Sequence, residues 1–272
     1  MKQLLFYEKP VALNREQHRA WRMDPACFTL SFARHTNSVI VTGAEFIHLA
    51  KEYPVVFART GERITPLALL GLRNDENLFV DTTGQWDARY VPAFVRRYPF
   101  VLADEGSGRL TVCIDEGFAG FNTATGTPLF DEVGEQSPLL GKAIDFLKEF
   151  QGQHQRTELF VNRLQEMELL SEWTAQVEVA NMGKIAMAGL QVVDEKKLLG
   201  LDQERTLTLF RSGELGWVYA HLLSLSNLGR LAERLARRGE TETPKTLPVP
   251  PVEESRAVAD TVVQTRKPRK RK

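Results

Sequence analysis

Residues 92–103 read PAFVRRYPFVLA, and 45 positions earlier residues 47–58 read IHLAKEYPVVFA. Proline cannot donate a hydrogen bond inside a helix, and it drives the residue before it out of the α region. Any helix upstream of Pro54 or Pro99 therefore stops at Tyr53 or Tyr98. Phe46, Leu49, Ala50 and Tyr53 fall on one helical stripe, as do Phe94, Val95 and Tyr98. Downstream, Val55–Ala58 and Phe100–Ala103 are continuous apolar runs of strand length, the pattern of strands covered on both faces. The repeated unit is a short amphipathic helix, a Tyr-Pro corner and a buried strand. Lys51 in one copy, and Arg96 and Arg97 in the other, sit in the last helical turn, where cations complement exposed carbonyls. Tyr53, Pro54, Tyr98 and Pro99 are accordingly read as structural.

Working outward, residues 27–33 (CFTLSFA) and 38–42 (SVIVT) have strand composition, joined at His35-Thr36-Asn37. Residues 65–73 and 77–81 read as a hairpin about Asn74-Asp75-Glu76. Thr82-Thr83-Gly84 turns the chain toward Trp86, Pro92 suits the first turn of a helix, and residues 109–115 form a strand. After a Gly-rich polar loop at 117–128, a helical period runs through Leu139, Leu140, Ala143, Ile144, Leu147 and Phe150, and a second helix is expected over Thr157–Leu170. Strict alternation in residues 173–180 pairs them with 184–193 across Asn181-Met182-Gly183. A long final helix is expected over Leu215–Arg238, with Trp217, His221, Leu225, Leu228, Ala232 and Leu235 on one stripe. The fold class is α+β: a mixed sheet with short helices in the N-terminal half, and a helix-rich C-terminal half with a hairpin and a long final helix. Residues 1–239 are read as one globular unit, with 117–128 as the point where a sub-boundary would fall. Residues 240–272 are read as a disordered, Pro-rich, basic tail.

The chain has 272 residues and a formal net charge of zero, with 35 basic and 35 acidic side chains. Residues 241–272 hold eight Lys or Arg against four acids, so the remainder is mildly acidic at 27 against 31. The N-terminus lacks the apolar run and cleavage site of a signal peptide, and no stretch approaches a membrane span. The expected location is cytoplasmic, with surface association by a signal-less route as the alternative. Cys27 and Cys113 lie in apolar, strand-like contexts and are read as buried free thiols.

Neither a GxSxG, a P-loop, a GxGxxG after a strand, an HExxH nor a CxxC occurs. The five histidines have no His or Cys neighbour at metal-ligand spacing, so no metal or cofactor is expected. His221 lies on the apolar stripe of the last helix, where a core histidine competes with a functional base. His48 shares a face with Glu52, as in a solvated ion-pair face. GQWDARYVP concentrates Trp86, Asp87, Arg89 and Tyr90, the composition of a recognition loop, although a loop whose Trp plugs the core reads the same. The basic end RKPRKRK has no interleaved aromatic residues, which argues against specific nucleic-acid binding.

EFIHLAKEYPVVFA, ALLGLRNDENLFVDTTGQWDARYVPAFVRRYPFVLA and GWVYAHLLSLSNLGRL, in that order, resemble the SapC family of bacterial proteins over residues 28–238. The resemblance implies an accessory, non-catalytic role related to the surface layer or cell envelope, exerted by binding a protein partner. Members also occur beside genes for outer-membrane receptors and for oxygenase-like or halogenase-like proteins. That setting implies the alternative of an uncharacterised enzyme of an uptake or modification system. Partner contacts are assigned to Trp86, Asp87, Arg89, Tyr90, Arg96 and Arg97. For the enzyme alternative the catalytic candidates are His35, Asp87 and His221, with Arg89 beside them.

Overall fold

Both Tyr-Pro corners form as their proline chemistry requires. A computed structural model describes residues 5–104, 110–180, 182–238 and 247–248. In chain order the strands are β1 (Pro10–Ala12), β2 (Arg22–Met23), β3 (Ser38–Ile40), β4 (Val55–Thr60), β5 (Arg63–Leu69), β6 (Phe100–Asp104), β7 (Leu110–Asp115), β8 (Phe121–Asn122), β9 (Thr127–Pro128), β10 (Leu170–Val179), β11 (Gly183–Val193) and β12 (Leu247–Pro248). The α-helices are α1 (Phe46–Leu49), α2 (Ala93–Arg96), α3 (Pro138–Glu166), α4 (Glu195–Leu199), α5 (Gln203–Arg211), α6 (Glu214–Ser224) and α7 (Asn227–Arg237). The fold is α+β.

The described chain divides into two units, one of residues 5–28 and 98–147, the other of residues 29–97 and 148–238 with β12. In the first, the sheet order is β1-β7-β6, and β2 pairs with both β8 and β9. Phe100, Ile114, Leu129, Phe130, Leu140 and Leu147 form its core. In the second, the order is β10-β11-β4-β5-β3. Phe46 packs edge-on to Phe57 and Phe160, and Phe160 to Trp217.

The two units repeat one arrangement. After Tyr53-Pro54, β4 pairs with β5 as Val55↔Ala68; after Tyr98-Pro99, β6 pairs with β7 as Phe100↔Ile114. A third strand then flanks each pair, through Val39↔Ala68 in one unit and Val11↔Ile114 in the other. Leu69 N–H donates to the Pro54 carbonyl at 2.9 Å, and Asp115 N–H to that of Pro99, also at 2.9 Å. Each unit then makes a tight turn. Asp81 N–H bonds to Gln85 O and Asp131 N–H to Glu135 O, with Gly84 and Gly134 at positive φ, which glycine adopts without steric cost. The flanking strand has a different origin in each case: β3 comes just before its corner, while β1 comes from the N-terminus.

Several sequence expectations are corrected. Residues 27–33 are not a strand but two 3-10 turns, Pro25–Cys27 and Ser31–Ala33, the first capped by the Asp24 carboxylate on Ala26 N–H. Cys27 is consequently exposed, whereas Cys113 is buried. Residues 77–81 do not form a ladder with 65–73, because β5 has β4 on one edge and β3 on the other; beyond β5 the main-chain bond from Leu78 N–H to Leu70 O, at 2.8 Å, joins the two segments. Buried Asn77 donates to Ala33 O and accepts from Phe79 N–H, so its side chain satisfies main-chain groups of this segment and its neighbour locally. Within 117–128, β8 and β9 pair with β2.

The helices expected over 139–150 and 157–170 are one helix, α3. Pro138 begins it, Ser137 Oγ caps Leu140 N–H, and Gly152 costs a helix only about 1 kcal/mol without ending it. The expected final helix is two: at Leu225–Ser226 the dihedrals stay right-handed helical, but the main-chain bonds tighten to the third residue back, Leu225 N–H to Leu222 O and Ser226 N–H to Leu223 O, both at 3.3 Å. The sequence reading also left out α4 and α5, although Asp194 and Asp202 cap their first turns. The hairpin β10–β11 forms as expected, closing at Val179↔Gly183. The tail expected from residue 240 lies outside the described residues, apart from β12. Among the described residues no helix is long and apolar enough to cross a membrane.

Candidate functional site: an arginine-lined cleft beside the Trp86 loop

The loop singled out in the sequence is clamped from below. Trp86 Nε1–H donates to Tyr53 Oη at 2.8 Å, and its ring stacks on Phe79 with centroids 6.2 Å apart. Tyr53 Oη donates onward to the Tyr90 carbonyl. The Glu52 carboxylate accepts the N–H groups of Arg89 and Tyr90 at 3.0 and 3.2 Å. His48 stacks on the Tyr90 ring at 5.2 Å. Glu52 and His48 thus hold the loop and do not form the solvated pair expected from their spacing.

Buried Glu45 is a second clamp that sequence reasoning missed. It accepts from Tyr90 Oη at 3.1 Å, from Ala93 N–H at 2.7 Å, and from both the N–H and the hydroxyl of Thr42. Burial, with the Glu45 charge next, pushes the Tyr90 phenol up to about 12. Burial also raises Tyr53, partly opposed by the Trp86 hydrogen bond.

What the loop leaves outward is cationic and planar. Asp87 and Arg89 are exposed, and Trp86 and Tyr90 are half-buried. Among the described residues the Arg89 guanidinium bonds to no other group, while Arg96 lies over Tyr90 and donates to Val91 O and Tyr90 Oη. Arg97 is not on this surface. It is buried, with its guanidinium 3.8 Å from the Phe94 ring centroid and 5.5 Å from that of Phe150.

Beside the loop lies a cleft of about 880 Å³ lined by Arg34, Arg230, Arg234, Arg237 and Arg238. Against them stand Asp81, Asp87 and Glu233. Arg234 Nη1 meets Asp87 Oδ2 at 2.7 Å, Nη2 donates to the Asp87 carbonyl, and the guanidinium lies 4.4 Å from the Phe79 centroid. Arg34 donates to Asp81 O and Thr82 O, Arg238 to Val80 O, and Arg230 to Lys51 O. Hydrogen bonds from Gln85 N–H and then the Thr83 hydroxyl keep the Asp81 carboxyl below the ordinary range. These arginines escaped the sequence reading, yet Arg230, Arg234 and Arg237 on α7 and Arg238 at its C-cap recur at helical spacing, a signal that was present.

The three catalytic candidates are not brought together. His35 is exposed and pairs with Asp75 at 3.3 Å, while Asp87 pairs with Arg234. His221 is fully buried: Val193 N–H donates to its Nε2 at 3.0 Å, which places the proton on Nδ1 for donation to Val55 O at 2.9 Å. Burial holds its pKa down at about 4, with the Val55 hydrogen bond opposing. Among the described residues no three His, Cys, Asp or Glu side chains gather as a metal site.

By its chemistry this is an anion-receptive surface on a two-unit α+β scaffold. The chain belongs to the SapC family, whose model matches residues 13–231. No curated protein and no solved structure matches it.

Proposed function

We propose that this protein is an accessory, non-catalytic component of the bacterial surface layer or cell envelope that works by binding a protein partner through the Trp86–Tyr90 loop. The observation that carries the reading is the pre-fixed loop. Tyr53, Glu52 and Glu45 hold its backbone and rings, leaving the exposed Arg89 and the face of Tyr90 to meet a partner with little further ordering cost. The envelope as the place of action draws its support from the family membership.

The test is mild affinity purification of the tagged full chain from its host, with native mass spectrometry of what is retained, run beside Arg89→Glu. The expected result is one stoichiometric envelope protein that the variant loses. Equal retention by the variant, or a turned-over metabolite on a solitary chain, overturns the proposal and favours an enzyme.

A further inference from the structure

The arginine cleft has a composition and a pitch that specify more than a generic anion. Its five guanidinium groups face three carboxylates, a local excess of two positive charges on a chain whose formal charge is zero. One of the three carboxylates, Asp87, is already engaged by Arg234. Arg34, Arg230 and Arg238 are anchored through single main-chain carbonyl contacts or a carbonyl pair, so most of their N–H donors remain available in fixed positions. Arg237 has only a loose contact with Glu233, at 3.8 Å, and its side chain is 78% exposed.

Pitch narrows the ligand. Arg230, Arg234 and Arg238, the last capping α7, recur every fourth residue, a rise of about 6 Å per step; Asp87 closes Arg234 through both its Nη groups, so the open pair is Arg230 and Arg238, two steps apart. In an extended peptide, side chains on one face recur about every 6.7 Å. The cleft volume of about 880 Å³ also exceeds what one phosphate fills. We infer that the cleft between the 78–87 loop and α7 binds an extended acidic peptide segment with carboxylates at alternate positions on one face, the outer ones read by Arg230 and Arg238 and by the exposed Arg237 beside the latter. This rests on the partner-binding reading and names the chemistry of the partner. The bidentate fit of guanidinium to carboxylate supplies orientation as well as attraction.

The test uses the full chain and a fluorescein-labelled peptide of alternating Glu and Ser in fluorescence anisotropy, with the matching Lys–Ser peptide and inorganic pyrophosphate as comparisons. Expected are saturable binding of the Glu–Ser peptide that weakens as salt rises, at least tenfold weaker binding to Arg237→Glu, and intermediate binding to Arg237→Lys. Arg237 anchors no main-chain group, so these variants leave the fold intact, which an unchanged melting temperature verifies. No binding of the acidic peptide, equal binding by Arg237→Glu, or preferential binding of pyrophosphate overturns the inference. Partner capture by the wild type that survives Arg237→Glu but not Arg89→Glu sinks the cleft proposal and leaves the partner-binding reading standing. Peptide binding at the cleft without any captured partner does the reverse.

Discussion

Ser224 Oγ accepts the Val55 N–H at 2.9 Å across 169 positions of sequence. The same hydroxyl donates back to His221 O, within its own helix. Three residues on, Asn227 Nδ2 donates to Ala50 O and Tyr53 O. His221, Ser224 and Asn227 therefore lock the first Tyr-Pro corner, and the late phrase AHLLSLSN exists to satisfy main-chain groups that the proline corner leaves without helical or ladder partners.

Removing one of these side chains leaves a buried main-chain group unsatisfied. Ser224→Ala and Asn227→Ala are each expected to cost about 1–3 kcal/mol. Because both act on one corner, the double variant should depart from additivity by about 0.5 kcal/mol or more. Urea unfolding of the four proteins checks this; strictly additive losses would show that the corner is not a single unit.

His221 makes stability depend on pH. Its folded pKa of about 4 lies below the ordinary 6.5, so between those values the unfolded chain binds the proton and the folded one does not. Stability is full above 6.5 and falls toward pH 4, by about 1.4 kcal/mol per unit and about 3 kcal/mol in all. Burial also lowers His154, so the parent's slope contains both groups. Subtracting the profile of His221→Gln, whose amide can donate and accept at the same places, isolates the His221 share. Parallel profiles would refute the assignment.

Gly43 lies against the Trp217 ring, and a Cβ there would come within 2.2 Å of it. Gly43→Ala is expected to cost about 1–3 kcal/mol through overpacking, read as a lowered melting temperature. Trp217→Leu in the same background should recover part of the loss, whereas no recovery would place the strain elsewhere.

Cys27 is exposed and Cys113 buried. In the native protein one thiol should react promptly with a disulfide reagent and the second only after denaturation. No fast thiol would contradict the exposed 3-10 turn at Pro25–Cys27, and two would contradict the burial of Cys113.

Local chemistry was sufficient wherever one residue type settles the backbone. Pro54 and Pro99 stop their helices, alternation sets the hairpin of 173–180 with 184–193, and Thr82-Thr83-Gly84 makes its turn, all of which are short-range steric or hydrogen-bonding decisions that the sequence carries. The chain could not announce that α3 continues through Gly152, since a weak helix former is overruled by packing on either side. Nor could it show that the last helix divides at Leu225–Ser226, where the side chains on either side, Ser224 and Asn227, are taken by main-chain groups of residues 50–55 far away in sequence. The Trp86–Tyr90 segment stood out by composition, but its clamps, Glu45 and Glu52, are set by the packing of α1 against it, and the arginines gather into one cleft only where α7 meets the 78–87 loop. The repeated Tyr-Pro phrase belongs to both accounts: the sequence by itself determined two helix-to-strand corners, and only the tertiary structure decided that each is flanked in the same register, once by β3 and once by β1. Register and long-range partners depend on which surfaces are buried together, and that is a property of the folded whole.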